Sequence, residues 1–206
     1  MIWIINGVGD ARHRPLLDAM FADRKRLFVD LLRWEVPVLN DRYEVDQFDG
    51  EQATYVVASG AAGGHDGSLR LLPTDRPHIL DTLFAKLCPE GVPTGLDTCE
   101  ITRLCLPTRH HAVDRLRIRN RLISAMVDHA LEVGVTTLTG VVVEPFRRQV
   151  LAMGWRADAL GPAQVVAGTA LGAFRLHIDR DTPARLLATG IYTPGTLPIE
   201  QGRAVA

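Results

Sequence analysis

Three arginines, four acidic residues and two aromatic residues in the first half of the chain could bind and deprotonate a small polar substrate. Arginine pairs with a carboxylate through two parallel hydrogen bonds. Aromatic rings stack on bases and attract cations, and a carboxylate can act as a general base. The side chains of interest are Arg24, Phe28, Trp34, Glu44, Asp46, Asp49, Arg70, Glu100 and Arg103.

Arg70 lies between Leu69 and Leu71 in a strand-like run, so its side chain points away from the face of the two leucines. A buried guanidinium needs a partner because an unpaired buried charge is costly. Asp46 and Asp49 are the available partners. Two interpretations stay open, and both can hold. The acids and Arg70 form an ion-pair network that pins the acidic segment to the sheet, or they form an acidic pocket that binds a cation.

The aromatic residues and the last acid–arginine pair are also open to two interpretations. Arg24 and Phe28 are four residues apart in a predicted helix and share a face. Phe28 and Trp34 are either core residues or faces for an adenine ring and a sulfonium. Glu100 and Arg103 are three apart on a predicted strand, so we expect them to face opposite sides and to have partners elsewhere.

Taken together, these residues resemble the acyl-homoserine-lactone synthases, the autoinducer synthases of bacterial quorum sensing. That family has an Arg, a Phe and a Trp near the N-terminus, then E-x-D-x-x-D, then an Arg in R-L-L-P-T, then E-x-x-R, and this chain has each of them between residues 24 and 105. The resemblance implies that S-adenosylmethionine is bound by Arg24, Phe28, Trp34, Glu44 and Arg103. It implies that the catalytic residues are Glu100, Arg70, Asp46 and Asp49, with Glu100 as the base.

The resemblance also implies the rest of the reaction. An acyl group passes from acyl carrier protein, or from acyl-CoA, to the amine of S-adenosylmethionine. Lactone closure then releases methylthioadenosine. We expect no prosthetic group and no metal, and a location in the bacterial cytoplasm. The alternatives are an N-acyltransferase that uses acyl-CoA on an amine without closing a lactone, and a non-catalytic binding module.

The acyl donor needs a surface and a pocket of its own. Basic residues at the starts of two predicted helices could contact an acidic carrier or a phosphopantetheine arm, although a solvated helix surface explains them as well; they are Arg115, Arg119, Arg147 and Arg148. The resemblance implies that some members preferring 3-oxo acyl chains have a hydroxyl residue on the strand equivalent to 136–143. Thr139 lies too early on that strand for this role and the later positions are apolar, so we expect an unsubstituted or otherwise apolar acyl group. The predicted acyl pocket consists of Leu122, Met126, Val141, Val143, Phe146, Leu151 and Trp155.

Composition excludes several classes of protein. The chain has 206 residues, with 23 Lys+Arg against 24 Asp+Glu, so it lacks the basic field of a general nucleic-acid binder. Three cysteines without C-x-x-C spacing argue against a disulfide framework or a zinc site. No apolar run approaches the length of a membrane span, and we expect no stable membrane insertion. The usual acetyl-CoA loop, Q/R-x-x-G-x-G/A, is absent near Arg109, which counts against an ordinary N-acetyltransferase.

The predicted elements that must position these side chains alternate between strands and helices. We predict a mixed α/β fold, with a mixed central sheet and flanking helices. The order matches the N-acetyltransferase superfamily, which has a V-shaped split between two parallel strands. We expect one domain over 1–206. Residues 1–52 would form the S-adenosylmethionine side, 53–190 the sheet and acyl side, and 191–206 a loose tail. Predicted strands cover 2–5, 55–58, 68–72, 98–106, 136–143, 165–168 and 170–178; predicted helices cover 15–33, 79–87, 114–133, 145–153 and 182–187.

Overall fold

The computed structural model describes residues 1–60 and 63–195. Its strands are β1 Ile2–Asn6, β2 Val38–Leu39, β3 Tyr43–Glu44, β4 Thr54–Ser59, β5 His65–Pro73, β6 Thr98–Cys105, β7 Thr137–Val143, β8 Arg156–Ala159, β9 Gln164–Val166 and β10 Thr169–His177. Its α-helices are α1 Arg14–Arg24, α2 Ile79–Leu83, α3 Ala112–Val133, α4 Glu144–Leu151 and α5 Thr182–Ala188, and short π- and 3₁₀-helices cover Lys25–Leu31 and Ala85–Leu87.

The large sheet has the order β1-β4-β5-β6-β7-β10-β8, with β9 paired to β10. β6 and β7 run parallel, whereas β1–β4, β4–β5, β5–β6 and β7–β10 are antiparallel. The parallel pairing covers Thr98–Thr137, Cys99–Leu138 and Glu100–Thr139, and it ends there although both strands continue. The predicted mixed α/β fold with a split between parallel strands is confirmed.

Side-chain alternation along the strands divides the sheet into two faces. Leu69 and Leu71 point to one face, where they pack with Leu122 and Met126 of α3 in the larger core cluster. Arg70 points to the other face, as predicted from its flanking leucines, and is buried there with Tyr55, its register partner on β4. α1 covers this second face through an apolar stripe with a helical period. The charged candidate residues for binding and catalysis therefore lie between the sheet and α1.

The ends of the long helices follow local sequence signals. α3 ends at Gly134, which has a φ of 78° and adopts the left-handed conformation that glycine permits. Pro145 lies in the first turn of α4, as predicted. The N-cap residue of α3 is His111, so this helix begins two residues before the predicted start at 114.

Three further parts of the chain differ from the prediction. The short strand β8 and the β2–β3 hairpin were not expected, because neither has an alternating apolar pattern. The start of the predicted tail is not loose: Ile191 is buried, and the Tyr192 hydroxyl donates a hydrogen bond of 2.6 Å to Asp128. The rest of that tail, 196–206, lies outside the described residues. Within the described ranges, no helix is long and apolar enough to cross a membrane.

Candidate active site

The first helix changes geometry where it reaches the site. α1 ends at Arg24, and the chain continues as a π-helix over Lys25–Leu31. π-Helices are rare in proteins, and those that occur are often found at functional sites. The Leu32 amide donates to the Leu27 carbonyl at 2.9 Å, five residues back. Arg33 then has a φ of 58°, and the Trp34 amide bonds the Phe28 carbonyl at 2.8 Å. This reversal folds Trp34 back onto Phe28.

Phe28 and Trp34 form a stacked aromatic pair. Their ring centroids are 4.7 Å apart and their planes differ by 14°. Phe28 is 3% exposed, whereas Trp34 is 44% exposed. The Arg103 guanidinium lies 5.7 Å from the Phe28 ring centroid and 6.0 Å from that of Trp34. The pair therefore has a buried ring, an open ring and a cation beside both.

Below the aromatic pair, three acids and three arginines form a closed ring of ion pairs. Arg24 bonds Glu44 at 2.5 Å and holds Asp49 through two bonds of 2.8 Å. Arg70 holds Asp46 through bonds of 2.7 and 3.0 Å and contacts Asp49 at 2.7 Å.

Arg103 closes the ring because a β-bulge turns it toward the other members. The pairing of β5 with β6 shifts register between Ser68 and Arg70, and Arg103 has a φ of 52°. Its side chain bonds Glu44 at 2.9 Å and Asp46 at 2.7 Å. The prediction that Glu100 and Arg103 face opposite sides was therefore wrong, since simple alternation does not hold across a bulge.

In this ring each acid bridges two arginines and each arginine bridges two acids. The predicted acidic pocket is accordingly not acidic, because three positive charges balance three negative ones. Burial opposes the ionisation of Asp49, but hydrogen bonds and positive charge from Arg24 outweigh it and hold the pKa of Asp49 well below its usual range. Arg24 is 1% exposed and donates to Glu44 and Asp49 through Nε, Nη1 and Nη2, so in this structure it holds the two acids. The ring joins the acidic segment to α1 and the sheet.

Two polar residues that sequence reasoning missed support the ring. The Tyr55 hydroxyl donates to Asp49 at 3.0 Å, and Arg70 Nε donates to the Thr102 hydroxyl at 3.0 Å. Tyr55 is opposite Arg70 in the β4–β5 register, and Thr102 is opposite it in the β5–β6 register. The alternation of strand residues would have found them only once the register was known.

Glu100 lies on the same face of the sheet, at the last residue of the parallel pairing. It is 1% exposed, and its Oε2 accepts a hydrogen bond of 2.8 Å from the Ile79 amide at the start of α2. Burial raises the pKa of Glu100 to about 7, against smaller opposing contributions from the Leu80 and Ile79 amides. A carboxyl group with this pKa can both take up and give back a proton near neutral pH.

The residues of the predicted acyl pocket do not lie together. Leu122, Met126 and Trp155 are in the core on the α3 face, and Phe146 and Leu151 pack against them. Val141 is instead on the Glu100 face, in a cluster with Leu80, Leu87, Cys88 and Ala173. Val143 is 41% exposed. An acyl chain that contacted both groups would have to pass between β6 and β7.

One of the four arginines predicted to contact the acyl donor is inside the protein. Arg147 is 6% exposed and donates to the Gly161 carbonyl at 2.8 Å, so it cannot contact a carrier; this prediction was wrong. Gly172 has no side chain to fill the space that the guanidinium occupies. Arg148 is exposed, whereas Arg115 and Arg119 are half-buried.

A second polar cluster, not predicted from the sequence, borders a cleft of about 610 Å³ that residues of α1 line on one side. Asp23 is 3% exposed, lies 2.7 Å from His65 Nδ1 and accepts bonds of 2.8 Å from Arg109. Burial opposes ionisation of Asp23, but the hydrogen bonds from His65 and Arg109 prevail and lower its pKa to about 2. Among the described residues, no group of three or more His, Cys, Asp or Glu could hold a metal ion.

Comparison with known proteins identifies the group to which this arrangement belongs. The family model "Autoinducer synthase" matches residues 10–186. The chain belongs to the autoinducer synthase family. It is 32% identical over 184 residues to the acyl-homoserine-lactone synthase of Ralstonia nicotianae, covering 86% of this chain and 90% of that protein. The corresponding synthase of Pseudomonas aeruginosa is 31% identical over 153 residues, 73% of each chain.

Three solved structures share the fold of this chain. A CoA-dependent acyl-homoserine lactone synthase, BjaI, with MTA superimposes with a TM-score of 0.84 at 24% identity, over 95% of this chain and 91% of that one. TofI, solved in a ternary complex with an inhibitor and MTA, gives 0.75 at 25% identity, over 96% and 100% of the two chains. FeeM, an N-acyl amino acid synthase, gives 0.61 at 12% identity, which shows only that the fold is shared.

Proposed function

We propose that this member of the family is an acyl-homoserine-lactone synthase with S-adenosylmethionine as acyl acceptor and an acyl thioester as donor. The observation that carries the proposal is that side chains far apart in the sequence meet in one place. The side chains of four separate sequence segments form one site, with an aromatic pair, a neutral ion-pair ring and a buried carboxyl group. The relatives named above and the family model support the same reaction.

The acceptor would lie against the aromatic pair and Arg103. Trp34 exposes a ring face, which suits an adenine or a sulfonium. Arg103 bonds its acids through Nε and Nη2 and is 10% exposed, so it is the arginine available for the substrate carboxylate. Glu44, Asp46, Asp49, Arg24 and Arg70 hold these groups in place. We propose residues 1–52 as the main part of this acceptor side.

Glu100 would act as the general base in the first step. The α-ammonium of S-adenosylmethionine gives a proton to Glu100, and the amine nitrogen attacks the thioester carbonyl carbon, which expels the thiol. The substrate carboxylate oxygen then attacks the γ-carbon and breaks its bond to sulfur, which releases methylthioadenosine. The sulfonium is already a good leaving group, so the protein chiefly aligns the reacting atoms and removes the proton.

The acyl donor would enter the split between β6 and β7. BjaI is described as CoA-dependent. For this chain we propose acyl carrier protein or acyl-CoA as donor, with the exposed Arg148 and the half-buried Arg115 and Arg119 on the donor side. Negatively charged phosphates or carrier helices would pair with these side chains. A bacterial cytoplasmic location is part of the proposal, and the free state of all three cysteines is consistent with a reducing compartment.

The deciding experiment measures thiol and methylthioadenosine together. Purified protein is incubated with S-adenosylmethionine and a panel of acyl-CoA and acyl-carrier thioesters. We expect the two products in equal amounts. Thiol without methylthioadenosine would show the alternative, an N-acyltransferase that closes no lactone. Neither product with any thioester would contradict both.

A further inference from the structure

Two buried oxygen atoms without hydrogen-bond partners face the same side of the sheet where β6 and β7 separate. Glu100 and Thr139 are register partners in the parallel pairing, so their side chains lie side by side on one face. Thr139 is 0% exposed and Glu100 is 1% exposed. Among the described residues, neither Glu100 Oε1 nor Thr139 Oγ1 has a hydrogen-bond partner. Buried polar atoms are nearly always paired, so two neighbouring exceptions point to a function.

The surroundings hold this pair in place but do not satisfy it. The other carboxylate oxygen of Glu100 accepts the Ile79 amide at 2.8 Å, which fixes the carboxyl group. Apolar side chains lie near the pair on this face, among them Leu80, Val141 and Ala173. Charged side chains border it as well: Arg175, the register partner of Thr139 on β10, bonds Asp158, and the charges of Arg70 and Asp81 act on Glu100. The pairing of β6 with β7 stops at this pair of residues. The two oxygens therefore mark the point from which a substrate can separate the strands.

The chemistry of the two atoms indicates which substrate group they fit. A carboxylate only accepts hydrogen bonds, and a threonine hydroxyl oxygen also accepts them. A carbonyl or carboxylate of a substrate could pair with the hydroxyl but would be opposed by Glu100. A primary ammonium has several N–H groups and can donate to both oxygens at once.

We propose that Thr139 is a positioning residue that holds the amine of the acyl acceptor beside Glu100. The inference rests on the proposed function. One N–H proton passes to Glu100 Oε1, and a remaining N–H donates to Thr139 Oγ1. The lone pair of the nitrogen is then left free and directed toward the thioester carbonyl carbon in the split. As the C–N bond forms and the C–S bond breaks, the nitrogen loses a second proton, which the leaving thiolate takes up. Glu100 then returns its proton to water, so charge and atoms balance.

The test compares two ligands that differ at the amine. S-adenosylmethionine carries it, whereas methylthioadenosine lacks it. Thr139→Val keeps the shape of the side chain and removes the hydroxyl, and Thr139→Ser keeps the hydroxyl. Thr137→Val is the matched control, because Thr137 lies two residues earlier on the same strand and face.

For Thr139→Val we expect about a tenfold loss in kcat/KM for S-adenosylmethionine and a weaker affinity for it, the size of one hydrogen bond. Calorimetric affinity for methylthioadenosine stays unchanged. Thr139→Ser returns kcat/KM to within about threefold of the original chain, and Thr137→Val changes neither quantity.

Two results would overturn the proposal. One is an equal loss of affinity for both ligands in Thr139→Val, which indicates a structural role. The other is an unchanged kcat/KM and an unchanged affinity for S-adenosylmethionine. If Thr139→Val does not fold, Thr139→Ala is read by the same criteria. If the original chain releases no methylthioadenosine with any thioester, the proposed function fails, while the difference between the two ligands still tests Thr139.

Discussion

The ion-pair ring and the Glu100–Thr139 pair lie on the same face of the same sheet and are built in opposite ways. In the ring, each of Glu44, Asp46 and Asp49 bridges two arginines. At the strand split, one carboxylate oxygen and one hydroxyl have no partner within residues 1–60 and 63–195. The pKa values follow this difference. The arginines hold the pKa of Asp49 well below its usual range, whereas burial raises the pKa of Glu100 to about 7.

This difference in partners and pKa separates the acids that hold the structure from the acid that can react. An acid that already bridges two guanidiniums has little basicity left, so it positions a segment. A buried acid with one free oxygen is more basic and can take a proton from a substrate. Residue type and spacing make no such distinction among these acids, and the family resemblance, which implied Glu100 as the base, counted Asp46 and Asp49 as catalytic beside it.

The largest expected effect comes from opening the ring. Arg70→Ala removes one of the two arginine partners of Asp46 and one of the two of Asp49, which leaves buried negative charge uncompensated. We expect lost activity and a fall of about 3–5 kcal/mol in the free energy of unfolding, measured by urea titration. Arg175→Ala is the control: it breaks the exposed pair with Asp158 and should cost less than about 1 kcal/mol. Normal turnover by Arg70→Ala would refute the ring as the scaffold of the site.

Glu100→Gln tests the other side of the comparison. It removes the base, so kcat should fall by roughly 10²–10⁴. The stability of the folded protein should rise, although the activity falls. The folded-state pKa of about 7 lies above the ordinary 4.5, so ionisation of Glu100 costs stability increasingly as pH rises through that interval.

The glutamine variant should therefore melt at a higher temperature than the original chain at pH 8 and show little of this gain at pH 4. The activity of the original chain should fall as the pH drops below about 7. A lower melting temperature for Glu100→Gln at pH 8 would contradict the assigned burial penalty.

Trp34→Leu should have a smaller effect, confined to binding. Trp34 is 44% exposed and rests on Phe28, so its loss removes stacking area without opening the core. We expect the binding free energy for S-adenosylmethionine, measured by calorimetry, to weaken by about 0.5–1.5 kcal/mol, with an unchanged melting temperature. Phe28→Leu is the comparison variant, because Phe28 is buried and its substitution should lower both. Unchanged binding in Trp34→Leu would exclude the open ring face as a substrate contact.

The smallest effect is expected outside both regions. Arg148→Ala removes an exposed charge and should raise the KM for an acyl-carrier thioester by about two- to fivefold at low salt, and less at high salt. Arg147→Ala should instead lower the melting temperature, because that side chain bonds backbone carbonyls inside the protein. An unchanged KM for Arg148→Ala at low salt would place the donor surface elsewhere.

Local pattern was sufficient to predict much of the fold. Alternation correctly placed the side of Arg70, the 3.6-residue period predicted α1 and α3, and the conformational freedom of Gly134 marked the end of α3. The residue types at their spacing also indicated the family and most of the residues in the site. These features depend on interactions between neighbours in sequence, which is why a single sequence reveals them.

The pairing of the acids and the contacts of Arg147 were decided only in the tertiary structure. A bulge and a positive φ at Arg103 place it in the ring, and the β5 register brings Tyr55 and Thr102 to Arg70. Whether an acid is neutralised or left with a free oxygen depends on which distant strand or helix faces it. Sequence therefore determined the chemical groups of this site, whereas their charge balance, burial and proton affinity arose from packing between segments far apart in the chain.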